Sequence, residues 1–363
     1  MAPPQRERRA AAGQVIDPEQ LLVSLDGALG DFSKLVGDLA TRRLLVVSGK
    51  GGVGRTTVSA LLGLALAAQG RNVLLATTAL DDRLAWMLGA RSLQDQPVAI
   101  VPGLPNLRVQ RLVPATALRE YGTLILRSER VARVVFDNRI VRRLLTAIPG
   151  MDDFTVLGKV WHETFRARSC DVLIFDGPAT GHLRLNLGTA AAVLETVPAG
   201  PIAAEARAID AALRDTKDSA AVLVGLPEPW PLTELAELAT DLQRDVGLHV
   251  GAIVINGLLP AVGGLRKDGD FATASSALQA AITGLDDLVA RAHAQRVDVA
   301  TFVAQPGVRA LQAAASYLSG GRGQPISRIT TLPWRGQGLE DLASLRALLA
   351  ELEGSLEGSR GAP

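Results

Sequence analysis

The residues best suited to chemistry stand together at Gly49-Lys50-Gly51-Gly52-Val53-Gly54-Arg55-Thr56-Thr57. Four glycines in six positions let successive backbone N–H groups turn inward around an anion. The helical stretch that follows, Thr56 to Gln69, adds the partial positive charge of its N-terminus. Such a loop takes a phosphate, and the Thr56 hydroxyl falls where a nucleotide's Mg²⁺ is ligated. The strict phosphate-loop pattern is broken because Arg55 stands at its lysine position. Arginine keeps the charge, but its planar fork sets its donors differently around the β- and γ-phosphates. Nucleotide binding is therefore expected to survive better than catalysis. The plainer alternatives are drift in an arginine-rich chain, or a glycine turn with no ligand.

A second motif speaks against an empty turn. Asp171-Val172-Leu173-Ile174-Phe175-Asp176-Gly177-Pro178-Ala179-Thr180-Gly181-His182 puts an acid at the end of an apolar strand, with a glycine-bounded loop behind it. Asp176 is expected to hold the Mg²⁺ shell with Thr56, and the loop to sense a γ-phosphate. A third segment, Ile253-Val254-Ile255-Asn256-Gly257, ends a strand in an asparagine that offers donor and acceptor to a base edge. A simple turn asparagine explains it as well.

The elements that must position these groups follow from periodicity. Short apolar runs at 43–48, 72–76, 172–175, 220–226 and 249–255, with a weaker one near Ile329, alternate with helical segments. Continuous apolar strands between helices mean a parallel sheet covered on both faces. The fold class is therefore α/β, a doubly wound parallel sheet of the P-loop NTPase type with a helical insertion. Residues 1–40 read as an N-terminal extension with a helix, 41–114 and 170–350 as the nucleotide domain, 115–169 as the insertion and 351–363 as a tail. A helix over 338–356 closes the domain.

Composition bounds the rest. With 38 Lys+Arg against 37 Asp+Glu, the charge balance gives no reason to expect nucleic acid. Cys170 stands alone and the histidines at 162, 182, 249 and 293 have no metal-ligand spacing, so neither a disulfide nor a structural zinc is expected. Arg6, Arg8 and Arg9 are not followed by the apolar core of a signal peptide, and the apolar run 58–68 is too short for a membrane span, so a cytoplasmic location is expected.

Together the three segments resemble the deviant Walker A class of P-loop ATPases, most closely the ArsA-like family of arsenite-pump and tail-anchored-protein-targeting ATPases. Asp-Gly-Pro-Ala-Thr-Gly-His is the most specific part of the likeness. Leu332-Pro333-Trp334 with Gly338 resembles that family's adenine-side loop. The resemblance implies ATP and Mg²⁺ as cofactors, and a nucleotide site formed by Gly49, Gly51, Gly52, Val53, Gly54, Thr56, Thr57, Asn256 and Pro333. It assigns catalytic parts to Lys50, Arg55 and Asp176, and the metal to Thr56 and Asp176. It also implies a dimer, in which Lys50 reaches the partner's nucleotide.

Departures from the family pattern fall on the chemistry. Thr77-Thr78-Ala79-Leu80-Asp81-Asp82 aligns Ala79 with the aspartate that positions the attacking water, and Asp81 and Asp82 read more readily as helix caps. Cargo features are missing too: there is no thiolate cluster for arsenite, no Cys-x-x-Cys, and Met stands only at 1, 87 and 151. In the insertion, Arg119, Arg127, Arg130, Arg133, Arg139, Arg142 and Arg143 outnumber Glu120, Glu129 and Asp137. This stretch, 119–143, either docks an acidic protein or membrane surface or is a solvated face. Two functions compete: a dimeric Mg-ATP hydrolase that opens and closes slowly, and a catalytically impaired ATP-binding subunit paired with a complete paralogue, so that the partner is a second copy or a related ATPase. A partition ATPase on DNA or membrane lacks the Asp-Gly-Pro-Ala-Thr-Gly-His motif and fits least.

Overall fold

The computed structural model describes residues 22, 25, 29–118, 120, 150–260, 276–318, 329–336 and 338–359. The first 21 residues, the last four and the seven arginines of the 119–143 stretch lie outside them. In chain order the elements are α1 (Phe32–Leu39), β1 (Leu44–Gly49), α2 (Arg55–Ala68), β2 (Val73–Thr77), α3 (Arg83–Met87), β3 (Val98–Ala99) and β4 (Leu107–Arg111). Then come α4 (Met151–Trp161) with a π-helical turn at His162–Arg166, β5 (Val172–Asp176), α5 (Thr180–Thr196), α6 (Pro201–Arg214) and β6 (Ser219–Gly225). The chain continues through α7 (Pro229–Asp241) with a π turn at Leu242–Val246, β7 (Val250–Leu258), α8 (Ser276–Ala304), α9 (Pro306–Leu318), β8 (Ile329–Pro333) and α10 (Leu342–Ser359).

The strands form one eight-stranded sheet in the order β3-β4-β2-β5-β1-β6-β7-β8, parallel except for β3. Strands β1, β2, β5 and β6 are buried along their whole lengths, as a sheet covered on both faces requires. One apolar layer gathers Val46, Phe175, Phe154 and Leu157; the other gathers Val47, Leu61, Leu62 and Ile174. α2 is apolar nearly all round and buried from Thr57 to Ala67, which fixes the loop before it against the sheet. With β1 between β5 and β6, the phosphate loop and the Asp176 loop emerge side by side at the C-terminal edge.

Of the described residues before 40, Phe32, Leu35, Val36 and Leu39 are buried, and the Gly30 N–H donates to Ile329 O at 2.7 Å. At the end of the 115–169 stretch, Phe154, Val156, Leu157 and Val160 of α4 pack into the layer beneath β1 and β5. α10 runs to Ser359, well into the expected tail. Strands β3 and β4 were not expected, since β3 has two residues and β4 interleaves Arg108, Gln110 and Arg111 among its apolar ones. Among the described residues no helix is long and apolar enough to cross a membrane.

Candidate functional site

Residues 50–54 bridge β1 and α2. Among the described residues, the backbone N–H groups of Lys50, Gly51, Gly52, Val53 and Gly54 have no protein acceptor. Consecutive unsatisfied donors above a helix N-terminus make an anion nest. Two glycines are structurally required there. A Cβ on Gly49 would stand 2.1 Å from the Val224 carbonyl of β6, and one on Gly54, whose φ is +94°, would stand 2.2 Å from Asn256 Nδ2. Thr56 and Thr57 follow in the first turn of α2.

Asp176, at the end of β5, lies behind Thr56. Its carboxylate accepts hydrogen bonds from Thr56 Oγ1 at 3.0 Å, Ser59 Oγ at 3.1 Å and Thr77 Oγ1 at 3.4 Å. Burial pushes its pKa above the ordinary carboxylate value, opposed by the three hydroxyls and by the charge of Arg55. Thr56 and Asp176 are thus in direct hydrogen-bond contact, and a buried carboxylate gains from a cation. Ser59 and Thr77 were missed, although Ser59 is one turn beyond Thr56 and Thr77 ends the neighbouring strand. No group of three or more His, Cys, Asp or Glu that could hold a metal occurs among the described residues. A Mg²⁺ here would depend on Thr56, Asp176, phosphate oxygens and water, which suits its small protein ligand sets.

The loop after Asp176 is tied to the phosphate loop. Arg55 Nη1 donates to the Gly177 carbonyl, the Gly177 N–H to Val47 O at 2.9 Å, and Ser48 Oγ to Pro178 O at 2.9 Å. The guanidinium thus rests on the switch-loop backbone and not over the nest, a placement its side-facing donors permit. Farther along, Asn186 Nδ2 donates to Asp153 Oδ1 of α4 at 2.9 Å, and His182 Nε2 lies 3.4 Å from the same oxygen.

Two residues expected at the nucleotide lie differently. The Lys50 ammonium is on its own α7, 3.0 Å from Glu234 Oε1 and 5.6 Å from the centre of the Trp230 ring, because a carboxylate and an indole lie within its reach. Asn256 donates its Nδ2 to Val53 O at 2.9 Å, bracing the loop from β7. Pro333 ends β8 beside Leu258, and the next residue, Trp334, is 55% exposed near Gly257.

The segment after β2 carries no free carboxylate at the aligned position. The Ala79 N–H donates to Thr77 Oγ1 at 3.2 Å. Asp81 Oδ1 accepts the Arg83 N–H at 3.1 Å, a local turn bond. Asp82 is no side-chain cap: its Oδ1 takes Arg111 Nη2 at 2.6 Å and the Leu93 N–H at 3.2 Å. Asp82 is thus the N-cap of α3 by position but not through its side chain, and Asp81 makes only the turn bond before the helix.

Comparisons with known proteins find relatives over this part of the chain. Residues 42–197 match the family model of anion-transporting ATPases. The ATPase BagA of Mycobacterium tuberculosis is 28% identical over 226 residues, 60% of this chain and 66% of its own length. An arsenical pump-driving ATPase of Acidiphilium multivorum is 32% identical over 239 residues, 60% of this chain and 39% of its own. The ATPase get3 of Schizosaccharomyces japonicus is 28% identical over 160 residues, 44% of this chain and 47% of its own. The chain therefore spans less than two thirds of the length of these relatives.

Proposed function

We propose, from the premise that residues 42–197 make this chain a member of the ArsA-like ATPase family, that it binds Mg-ATP at the 50–54 loop and uses it to drive closure of a dimer. One observation carries the reading: five consecutive loop amides without acceptors, above the N-terminus of α2, with a buried aspartate behind Thr56. The amides and the helix terminus bind the phosphates. Thr56 and Asp176 hold the metal, which when bound neutralises charge developing on the phosphoryl oxygens. In this reading Asn256, Pro333 and the neighbouring Trp334 form the base side of the site, the Asn256 amide oxygen recognising the base while its Nδ2 braces Val53. Arg55, at the first turn of α2, ties the phosphate-loop end of that helix to the loop after Asp176 through Gly177, so that nucleotide state reaches α5. In the closed dimer Lys50 serves the nucleotide of the partner, either a second copy or a related ATPase.

Turnover is expected to be slow, and a specific observation favours this. At the aligned position Ala79 offers no carboxylate, and of the two acids that follow, Asp82 is paired with Arg111 and Asp81 accepts the Arg83 N–H. The reading in which the chain binds ATP as an impaired subunit beside a complete paralogue draws on the same observation. Melting of the purified protein with and without millimolar Mg-ATP tests binding, since a ligand specific to the folded state raises the melting temperature. Single-turnover hydrolysis, alone and with a paralogue, then separates the two readings. No thermal shift at millimolar nucleotide overturns both.

A further inference from the structure

Lys50 leaves the glycine loop as an exposed side chain, yet two contacts hold its ammonium, and a third joins its two holders. It pairs with Glu234 Oε1 at 3.0 Å and sits 5.6 Å over the Trp230 ring. The same Glu234 oxygen accepts the Trp230 indole N–H at 2.8 Å. Trp230 and Glu234 are four apart on α7, so one helix face presents ring and carboxylate together. α7 follows β6, the strand beside β1, and so the lysine and its holder rise from adjacent strand ends. Trp230 remains 68% exposed, so its outer face is open to solvent beside the ion pair. Glu234 also lines a cleft of about 260 Å³ with Thr180 and Gly181 of the switch loop.

We propose that Trp230 and Glu234 are positioning residues that latch Lys50 onto its own protomer, and that this latch must open before the lysine can serve a partner's nucleotide. The proposal rests on the dimer reading above. One ammonium cannot neutralise Glu234 and a phosphate in another subunit at once, so the latch and the closed state exclude each other. A half-exposed ion pair with a cation–π contact biases such an equilibrium by about threefold. A homodimer must open two latches, so the bias is squared to about tenfold. A heterodimer whose partner has no such pair feels about threefold.

The test is sedimentation of the full chain with a non-hydrolysable Mg-ATP analogue. Glu234→Gln keeps the side chain's size and removes its charge. The dimer dissociation constant is expected to fall about tenfold while the analogue's affinity for dilute protomer stays unchanged. Trp230→Phe, a milder change, should act in the same direction. Trp230 emission supplies a readout that a merely structural role would not move: the nucleotide-dependent change of the wild type should be reduced in Trp230→Phe, which leaves Trp86, Trp161 and Trp334 in place. Should the analogue produce a dimer whose constant neither variant tightens, the latch is wrong and the dimer reading stands. A dimer weakened by Glu234→Gln likewise overturns it, making Glu234 an interface residue. No dimer at any concentration of the analogue removes the underlying reading and the latch with it.

Discussion

Gly54→Ala probes the joint between the phosphate loop and β7. Gly54 caps α2 with φ +94° and ψ 27°, a left-handed conformation that costs an L-residue about 1–2 kcal/mol. The added methyl would also lie 2.2 Å from Asn256 Nδ2, displacing the amide from the Val53 carbonyl, a hydrogen bond worth about 1 kcal/mol. The single change should therefore cost about 2–3 kcal/mol. Asn256→Ala alone should cost about 1 kcal/mol, for that bond only. In the double variant the bond is already lost and the clash is gone, so the total should remain about 2–3 kcal/mol, with a coupling of about 1 kcal/mol. Urea unfolding of the four proteins, at a common m-value, measures the cycle. Strict additivity, or a Gly54→Ala cost below about 0.5 kcal/mol, would show that the loop and Asn256 are not in contact, and the placement of β7 against the nest would be wrong.

Three further outcomes follow from the site. Burial raises the Asp176 pKa, so the folded state binds that proton more tightly than the unfolded one, and the group's stabilising share fades as pH rises through its folded-state pKa. Asp176→Asn should accordingly melt about 3 °C above the parent at pH 8, lose the advantage near pH 4, and abolish the Mg²⁺ dependence of the ATP-induced shift; a variant that melts lower at pH 8 contradicts the burial account. The Cys170 thiol, buried and pushed up to about 11, should resist iodoacetamide at pH 8 until the protein is unfolded, and rapid native labelling would refute its burial. Ala79→Asp should raise turnover by about 10² or more if water positioning is the missing step. Arg55→Lys should give a smaller gain, with the double variant exceeding either; a wild type already as fast as the double variant assigns the step to another residue.

Much of this site was legible because phosphate binding is local. Gly49 to Thr57 must follow a strand and open a helix for its amides to converge, and the apolar runs on either side announced both. Asp176 was legible for a similar reason, as an acid closing an apolar strand. What escaped depends on pairs far apart in sequence. Nothing near Lys50 points to Glu234, 184 residues away, and the role of Thr77 appears only once β2 lies beside β5. Asn256 was expected to spend its amide on a base, yet the close passage of Gly54 draws Nδ2 to Val53. Strand β3 escaped because it has only two residues, and β4 because Arg108, Gln110 and Arg111 interrupt its apolar pattern. Residues 29–39 looked peripheral because their burial depends on β8 and α10, which come some 290 residues later.

The two margins of the sheet bear on how copies of this protein can meet. One margin ends in β3, which is antiparallel and only two residues long; along the other, Gly30 forms a bridge to Thr330 of β8. Short or bridged margins are poor templates for another chain's backbone, so a subunit would not join by extending the sheet. In the proposed dimer, recognition would fall to side chains, and the rim where the strands end, which carries the glycine loop and the loop after Asp176 and lies beside Trp230, is the surface that the Lys50 reading uses. Association and nucleotide occupancy would then be read by one surface, and a ligand that reshapes that rim changes what the protein can join.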